Sequence, residues 1–556
     1  PMLCSRMLSN KPKNGRLHRA IFDNVEKFLN MISDGYAKII GWCMVHRKTV
    51  IFSGFAIFVA VLALLGPGLK TEYFPYSDEG RLTVSIQLPV GTEQAVTGEF
   101  AKNFAERIKS EIPEIQVLQY RFGQASTDNA WGSMQSNGSY IISMNINLGS
   151  MEDRKRSSSE IADIIRKDLR EYPEVKKGTV SEGMGGVGGA ASVRLEIYGY
   201  DFDETDRVAR EIQGKMLDNE NFTQVVLSRD DYTPEYQVDF DRTKLALNGL
   251  NSTTAAAAFS AAMNGSVGSF YREEGEEYNI RVIYDKKFRS SVQDIENIVV
   301  YTPAGKAVRI KDLGTVVESK VPPTIERKNR ERYITVTGIV SAGHALSEAV
   351  AATNAIIKTT DIPNNISTDI SGDFEDQQSM FLNLVVLMVL IIILVYMVMA
   401  SQFESFMSPF VIMFSVPFAF TGVILGLWAT NTALGVMAMI GIIILLGIVV
   451  KNGIVLIDYT ILMRERGMSV VEASVTAARS RLRPILMTTL TTVLGMVPMA
   501  VGRGEGSELW RSLGMTVCWG LTISTLVTLV LIPTIYCSLA TAQERRKARK
   551  LARIKG

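Results

Sequence analysis

The sequence predicts an α+β membrane protein, with six transmembrane helices and a large region of alternating strands and helices outside the cytoplasm. Three observations carry that prediction. Apolar runs long enough to cross a bilayer occur once near the start and five times near the end. Lys and Arg crowd the same side of those runs. The stretch between switches repeatedly from a period of two to a helical period, and the same order of elements occurs twice.

Taken in order, PMLCSRML within 1–15 reads like the tail of a membrane helix followed by a cytoplasmic start. The sequence is therefore expected to be part of a longer protein. Over 16–48, Ile21, Val25, Phe28, Leu29, Ile32, Tyr36 and Ile39 fall at helical spacing behind Lys11, Lys13, Arg16 and Arg19. That pattern suits an amphipathic helix lying on a membrane face, the alternative being a helix packed on a soluble core. The first span follows at 49–67, and the others at 379–400, 406–429, 432–461, 484–502 and 512–538. The 462–483 loop and the 539–556 tail are basic, so both, with the N-terminal segment, are placed in the cytoplasm. Trp510, beside Arg511, suits an anchor at the outer interface. Ser469 and Glu472 form a capping box that starts a separate helix in the loop, and Pro484 stands in the first turn of the next span.

Between the spans, 70–185 reads as strands at 82–89, 115–121, 140–148 and 176–181, with helices at 92–111 and 157–171. This is the ferredoxin-like (βαββαβ) order. A glycine-rich hinge at 183–190 closes it. The order restarts in 190–230, with strands at 191–199 and 222–229 around a helix at 204–219. It finishes in 326–372, with strands at 332–341 and 366–371 around a helix at 344–359. The inserted 231–325 segment reads as a mixed β-rich domain. Its strands lie near 235–240, 278–284, 296–302 and 306–318, with an alanine-rich helix at 252–263.

Composition excludes several classes. The chain carries 59 Lys and Arg against 57 Asp and Glu, a balance that argues against nucleic acid as a partner. Cys4, Cys43, Cys518 and Cys537 all lie outside the polar middle, so no disulfide or cysteine metal site is expected there. His18, His46 and His344 are far apart and suggest no metal cluster. There is no nucleophile motif and no phosphate loop, so neither an enzyme nor a bound cofactor is expected.

The chemistry concentrates in TALGVMAMIGIIILLGIVVKNGIVLIDYTI, 432–461. Lys451 sits well inside it, with Asn452 beside it and Asp458 two turns on. An ammonium at that depth costs a few kcal/mol and usually serves a function. Snorkelling is the plainer account, but ten residues separate Lys451 from Ile461 and a lysine stem spans little more than one turn. The sharper reading is a cation that needs an acidic partner from another helix and exchanges with a proton. Thr488 follows Arg481 by two turns and could join Lys451 in a polar seam. Each also has an ordinary role, Thr488 bonding its own backbone and Arg481 anchoring at the interface. Asp458 reads as an interface residue or a partner for a loop arginine. The 121–139 connection is long and carries Phe122, Gly123, Trp131 and Met134. Its aromatics suit contact with varied apolar ligands or packing on their own subdomain, and the residues do not choose.

Several stretches carry a family likeness: FPYSDEGRL (74–82), MASQFESFMSPF (399–410), GIVVKNGIVLIDY (447–459), RSRLRPILMTTL (479–490) and GLTISTLVTLVLIPTIY (520–536). With PMLCSRML, they make the whole chain resemble the C-terminal half of a resistance-nodulation-division (RND) efflux permease, most like the multidrug exporters of amphiphilic compounds. The resemblance implies two periplasmic porter subdomains, a docking-domain insertion and an inner-membrane location. It implies a homotrimer joined to a periplasmic adaptor and an outer-membrane channel, driving drugs outward by proton antiport. On that likeness Lys451 pairs with two aspartates on a fourth span that lies outside this sequence. Arg481 and Thr488 then fall on proton-relay positions, with Asn452 beside them. The 121–139 loop falls where substrate pockets are divided, though its sequence departs from the family. Heavy-metal export by the same fold is the alternative, but Met134, Met144, Met151 and Met184 show no cluster by spacing. An accessory for protein or lipid translocation is a third reading, from a different class.

Overall fold

A computed structural model of the chain describes residues 16–123, 138–183, 189–229, 232–321, 324–502, 504 and 506–555. Contacts divide it into two compact units, one holding the chain up to Leu227 and from Ile334 onward, the other Ser228–Tyr333.

The chain begins with α1 (Arg16–Val45), which breaks at His46 before α2 (Arg47–Leu65). α1 buries Tyr36, Ile40, Cys43 and Met44, and the Tyr36 hydroxyl donates to the Leu529 carbonyl at 2.7 Å. Phe28, Met31, Ile39 and Trp42 of the same helix are exposed. The helix thus has two apolar faces, one packed on other helices and one open. α2 buries none of its side chains.

The first α/β substructure runs β1 (Arg81–Gln87), α3 (Gln94–Glu111), β2 (Val117–Gly123), β3 (Gly138–Asn147), α4 (Ser158–Glu171) and β4 (Lys177–Glu182). Its strand order is β2-β3-β1-β4, antiparallel throughout. Alternation decides the faces: Leu82, Val84 and Ile86 of β1 turn inward with Ile142, Met144 and Ile146 of β3, onto Phe104, Ile108, Ile161 and Ile165 of the two helices. Ser157 and Glu160 close a capping box at the start of α4. The second substructure opens with β5 (Ser192–Tyr198), α5 (Phe202–Leu217) and β6 (Phe222–Leu227).

The 228–333 unit then interrupts. It comprises β7 (Thr233–Phe240), α6 (Arg242–Leu247), α7 (Ser252–Asn264), β8 (Ser266–Glu273), β9 (Glu276–Val282) and α8 (Val292–Asn297). β10 (Val299–Tyr301), β11 (Ala307–Arg309), α9 (Ile310–Leu313), β12 (Gly314–Val321) and β13 (Glu326–Lys328) follow. Leu245, Ala255, Val300, Ile310 and Leu313 form its core. The sequence pattern read 306–318 as one strand; instead α9 breaks it, because Ile310 and Leu313 both turn inward at helical spacing. The sequence pattern does not show β8, because it pairs with β9 as a hairpin whose every residue is exposed and no burial alternation marks it. Glu274 and Gly275 make its turn with φ of 52° and 87°, a doubly left-handed turn that suits the twist of a hairpin.

The second substructure resumes with β14 (Glu331–Val340), α10 (Leu346–Thr359) and β15 (Ser367–Ser371), in the order β6-β14-β5-β15. Leu195, Ile197, Ile212 and Val336 centre its core.

The remaining helices are α11 (Asp373–Gln402), α12 (Met407–Met413), α13 (Ser415–Ala429), α14 (Val436–Glu465), α15 (Val470–Val501) and α16 (Ser507–Lys555). Among the described residues six helical segments are long and apolar enough to cross a membrane. α16 packs against α13, α14 and α15. Three boundaries differ from the sequence pattern. The 406–429 segment is two helices joined at Phe414, because Pro417 lacks the N–H that would bond Met413. The loop helix and the 484–502 segment are a single helix, α15, running through Pro484; Ala477, Ala478, Leu482 and Ile485 bury on both sides of the proline and keep the chain in register. The 512–538 segment continues as helix into the basic tail, whose Lys, Arg, Ala and Leu are good helix formers.

Candidate functional site

The apolar run of α14 makes its few polar residues conspicuous. Lys451 lies near its middle, about 20 Å from either end at the helical rise. With Ile444, Gly447 and Asp458 it occupies one exposed face of the helix. Among the described residues neither Lys451 nor Asp458 has a hydrogen-bond or ion-pair partner. The loop arginines go elsewhere: Arg464 to Glu544 and the Tyr536 hydroxyl, Arg479 to Asp34, Arg483 to Asn30. Asp458 is thus not tied to any of these three.

Asn452 is buried. Its amide nitrogen lies 3.4 Å from Thr489 Oγ1 and 3.5 Å from Thr525 Oγ1, and the two hydroxyls are 3.4 Å apart. These are long hydrogen bonds joining α14, α15 and α16. Gly453 permits the approach, since a Cβ there would stand 2.9 Å from Ile412 Cγ2 and 3.1 Å from Ile532 Cδ1.

The other two polar residues of the long apolar helices lie apart from that cluster. Thr488 is exposed and its hydroxyl donates to the Ile485 carbonyl at 3.0 Å, the backbone bond expected of a threonine in a helix. The inward face of α15 is Ala478, Leu482, Ile485 and Thr489. Two turns from Arg481 does reach Thr488, but on a face that does not meet Asn452. The burial stripe one residue on would have found Thr489. The Arg481 guanidinium stacks 4.4 Å over the Tyr459 ring, and its Nε is buried with no hydrogen-bond partner among the described residues.

Outside the helical layer, Phe122 and Gly123 belong to the end of β2 rather than to a loop. Their backbone still pairs with β3, with a register shift between them. The Phe122 ring covers Gly98, where a Cβ would stand 2.7 Å from it, yet the residue remains 39% exposed. Gly123 has φ of 92°, which a side chain would strain. Trp131 and Met134 lie outside the described residues, as does Met184. Met144 is wholly buried in the β-sheet core, and Met151 is exposed. Among the described residues no three His, Cys, Asp or Glu side chains gather as a metal site.

Long apolar helices with a lysine midway along one of them, on the same chain as two βαββαβ substructures, have the lengths and composition of a polytopic membrane protein. The family model described as AcrB/AcrD/AcrF matches residues 1–540, and the chain belongs to that family of RND efflux permeases. It is 28% identical over 521 residues to the swarming motility protein SwrC of Bacillus subtilis, covering 92% of this chain and 47% of that one. It is 26% identical to the multidrug resistance protein MdtC of Escherichia coli, covering 96% of this chain and 51% of that one. A crystal structure of a heavy metal efflux pump superposes with a TM-score of 0.75 at 25% identity, over 92% of this chain and 52% of that one. The chain thus spans about half the length of the relatives it matches.

Proposed function

We propose that this chain forms part of the inner-membrane permease of a tripartite pump that exports amphiphilic toxic compounds by proton antiport. The observation that carries this is Lys451: a cation midway along an apolar helix, on an uncovered face, with no counter-charge among the described residues. Such a group requires a carboxylate, and a carboxylate that trades the lysine for a proton couples the site to the proton gradient. Its partner is the acidic pair of a fourth span in the remainder of the permease. Lys451, Asn452, Arg481 and Thr488 make up the relay on this side. The two βαββαβ substructures act as porter subdomains in the periplasm, with Phe122 and Gly123 leading into the substrate path and Trp131 and Met134 within it. The 228–333 unit is the docking insertion. The working assembly is a homotrimer in the inner membrane, joined to a periplasmic adaptor and an outer-membrane channel.

Heavy-metal export is the second reading, favoured by the likeness to a heavy metal efflux pump. Against it, Met144 is sealed in a core and is not available as a ligand. Lys451→Ala in the whole permease is expected to abolish resistance while the protein remains in the membrane. Retained resistance removes Lys451 from the mechanism. A deletion strain that becomes sensitive to metal salts and not to amphiphilic drugs replaces the first reading with the second.

A further inference from the structure

The segment between α2 and β1 is bound at several points. Leu434, just ahead of α14, donates its N–H to the Lys70 carbonyl at 2.8 Å, and Val436, the first residue of α14, donates to the Tyr73 carbonyl at 3.1 Å. Glu72 N–H returns a longer bond to the Leu434 carbonyl at 3.4 Å, and Thr71 and Leu434 form a parallel bridge. On its other side Thr71 N–H reaches the Ser347 hydroxyl of α10 at 3.4 Å, and Lys70 pairs with Glu348 of α10 at 3.1 Å. Tyr73 packs on the core of the second βαββαβ substructure. Asp78, a few residues on, is bonded to Arg154 and Ser158 of the first. One short strap therefore joins both α/β substructures to the end of the helix that carries Lys451.

Within this strap the Glu72 carboxyl is the exception. It has no hydrogen-bond or ion-pair partner among the described residues. It sits against Gly435, where a Cβ would lie 3.4 Å from Glu72 Oε1, and it lines a cavity of about 300 Å³. Asp163, Arg166 and Glu182 line the same cavity from the first substructure, with Tyr76 from the strap and His344 from the approach to α10. Lys70 and Glu348 are engaged with each other. The 430–435 turn and the start of α14 bring no titratable residue. Burial pushes the Glu72 carboxyl from 4.5 up to about 7.

We infer that 69–76 is a proton-sensitive strap, in which neutral Glu72 keeps the start of α14 bound to the α/β substructures and ionised Glu72 loosens it. The sign follows from the carboxyl's preference. A carboxyl that is harder to ionise in the bound arrangement favours that arrangement fully below about pH 4.5, and the advantage is lost as the pH rises to about 7. On the orientation proposed above, the strap lies outside the cytoplasm and senses the acidic side of the gradient. This use of the strap rests on that reading, whereas the strap itself does not.

The test is hydrogen exchange at the Leu434 and Val436 amides, in the full-length permease in lipid nanodiscs, expressed as protection factors. Protection is expected to fall by up to about tenfold per pH unit between about pH 4.5 and 7, then level off. Glu72→Gln, which keeps the shape without the charge, is expected to give high and flat protection. His344→Asn is expected to keep the wild-type slope. A flat wild-type profile, a Glu72→Gln slope equal to wild type, or loss of the slope in His344→Asn overturns the proposal. Because exchange is read without transport, its failure is distinct from failure of the pump reading, which Lys451→Ala decides.

Discussion

The β1–β4 substructure and the α14 helix handle charge in opposite ways. In the first, the Arg154 side chain is 1% exposed and the Asp78 side chain 5%, and the two are bonded to each other. The Asp78 carboxylate also accepts from Ser158 N–H at 2.9 Å, the Ser158 hydroxyl and Gly80 N–H at 3.1 Å. Arg166 and Glu182 repeat the arrangement nearby at 3.1 Å. In α14, Lys451 stands on an open face with no such company. A charge paired with an opposite charge inside the core serves to hold a fold together, and removing its partner leaves an uncompensated ion. A charge left without a partner in an apolar setting serves whatever comes to meet it.

The sharpest way to break this contrast is to neutralise one charge of each kind. Asp78→Asn leaves Arg154 buried beside a neutral amide and is expected to destabilise the β1–β4 substructure by about 3–5 kcal/mol. Loss of exchange protection in β1 and β4 measures it. Lys451→Ala is expected to leave thermal stability within about 0.5 kcal/mol while transport is lost. Equal destabilisation by both would erase the distinction. The pH response adds a second handle. Burial pushes the Asp78 carboxyl up, but the bonds from Arg154, Ser158 and Gly80 outweigh it and hold the group below its ordinary 3.8. Its stabilisation is therefore present above about pH 3.8 and lost as the pH falls below. Glu72 runs the other way, its burial unopposed by any bond.

The same contrast explains what the sequence could and could not reveal. The alternation in LTVSI fixes which side chains of β1 face the core, because a period of two leaves one choice. Lys451 was legible because a lysine inside an apolar run has few ordinary explanations. The partners of Asp78 were not, since Arg154 and Ser158 meet it only after the sheet is assembled. Pro484 suggests a helix start because proline suits a first turn, whereas packing on both sides carries α15 through it. The contact between Thr489 and Asn452 was not legible, because the spacing of Thr488 from Arg481 identifies a shared face and not the direction in which that face points.

A helix crossing offers a middle-sized test. Gly453 sits one residue from the Asn452 cluster, with Ile412 and Ile532 already against it. Gly453→Leu is expected to force α14 off α12 and α16, costing about 1–3 kcal/mol and lowering the unfolding temperature. Gly447→Leu, on the open face where a Cβ would meet nothing within this chain, is expected to change the stability of this chain little when it is studied alone. If the two behave alike, the closed and open faces of α14 are not distinct in the folded protein.

The smallest effect separates adjacent threonines. Thr489 is buried and lies within reach of both Asn452 and Thr525, while Thr488 is exposed and bonded to its own helix. Thr489→Val keeps the volume and removes the hydroxyl, leaving Asn452 with Thr525 alone. Because the bonds are long, the expected cost is only about 1 kcal/mol, read as a lower unfolding temperature. Thr488→Val loses a bond within its own turn and is expected to be close to neutral for stability. Transport then separates fold from function. If Thr488 serves the relay, its variant loses transport without losing stability, the signature argued for Lys451. If Thr489 instead shows that signature, the proton path runs through the buried Asn452 cluster and not along the open face.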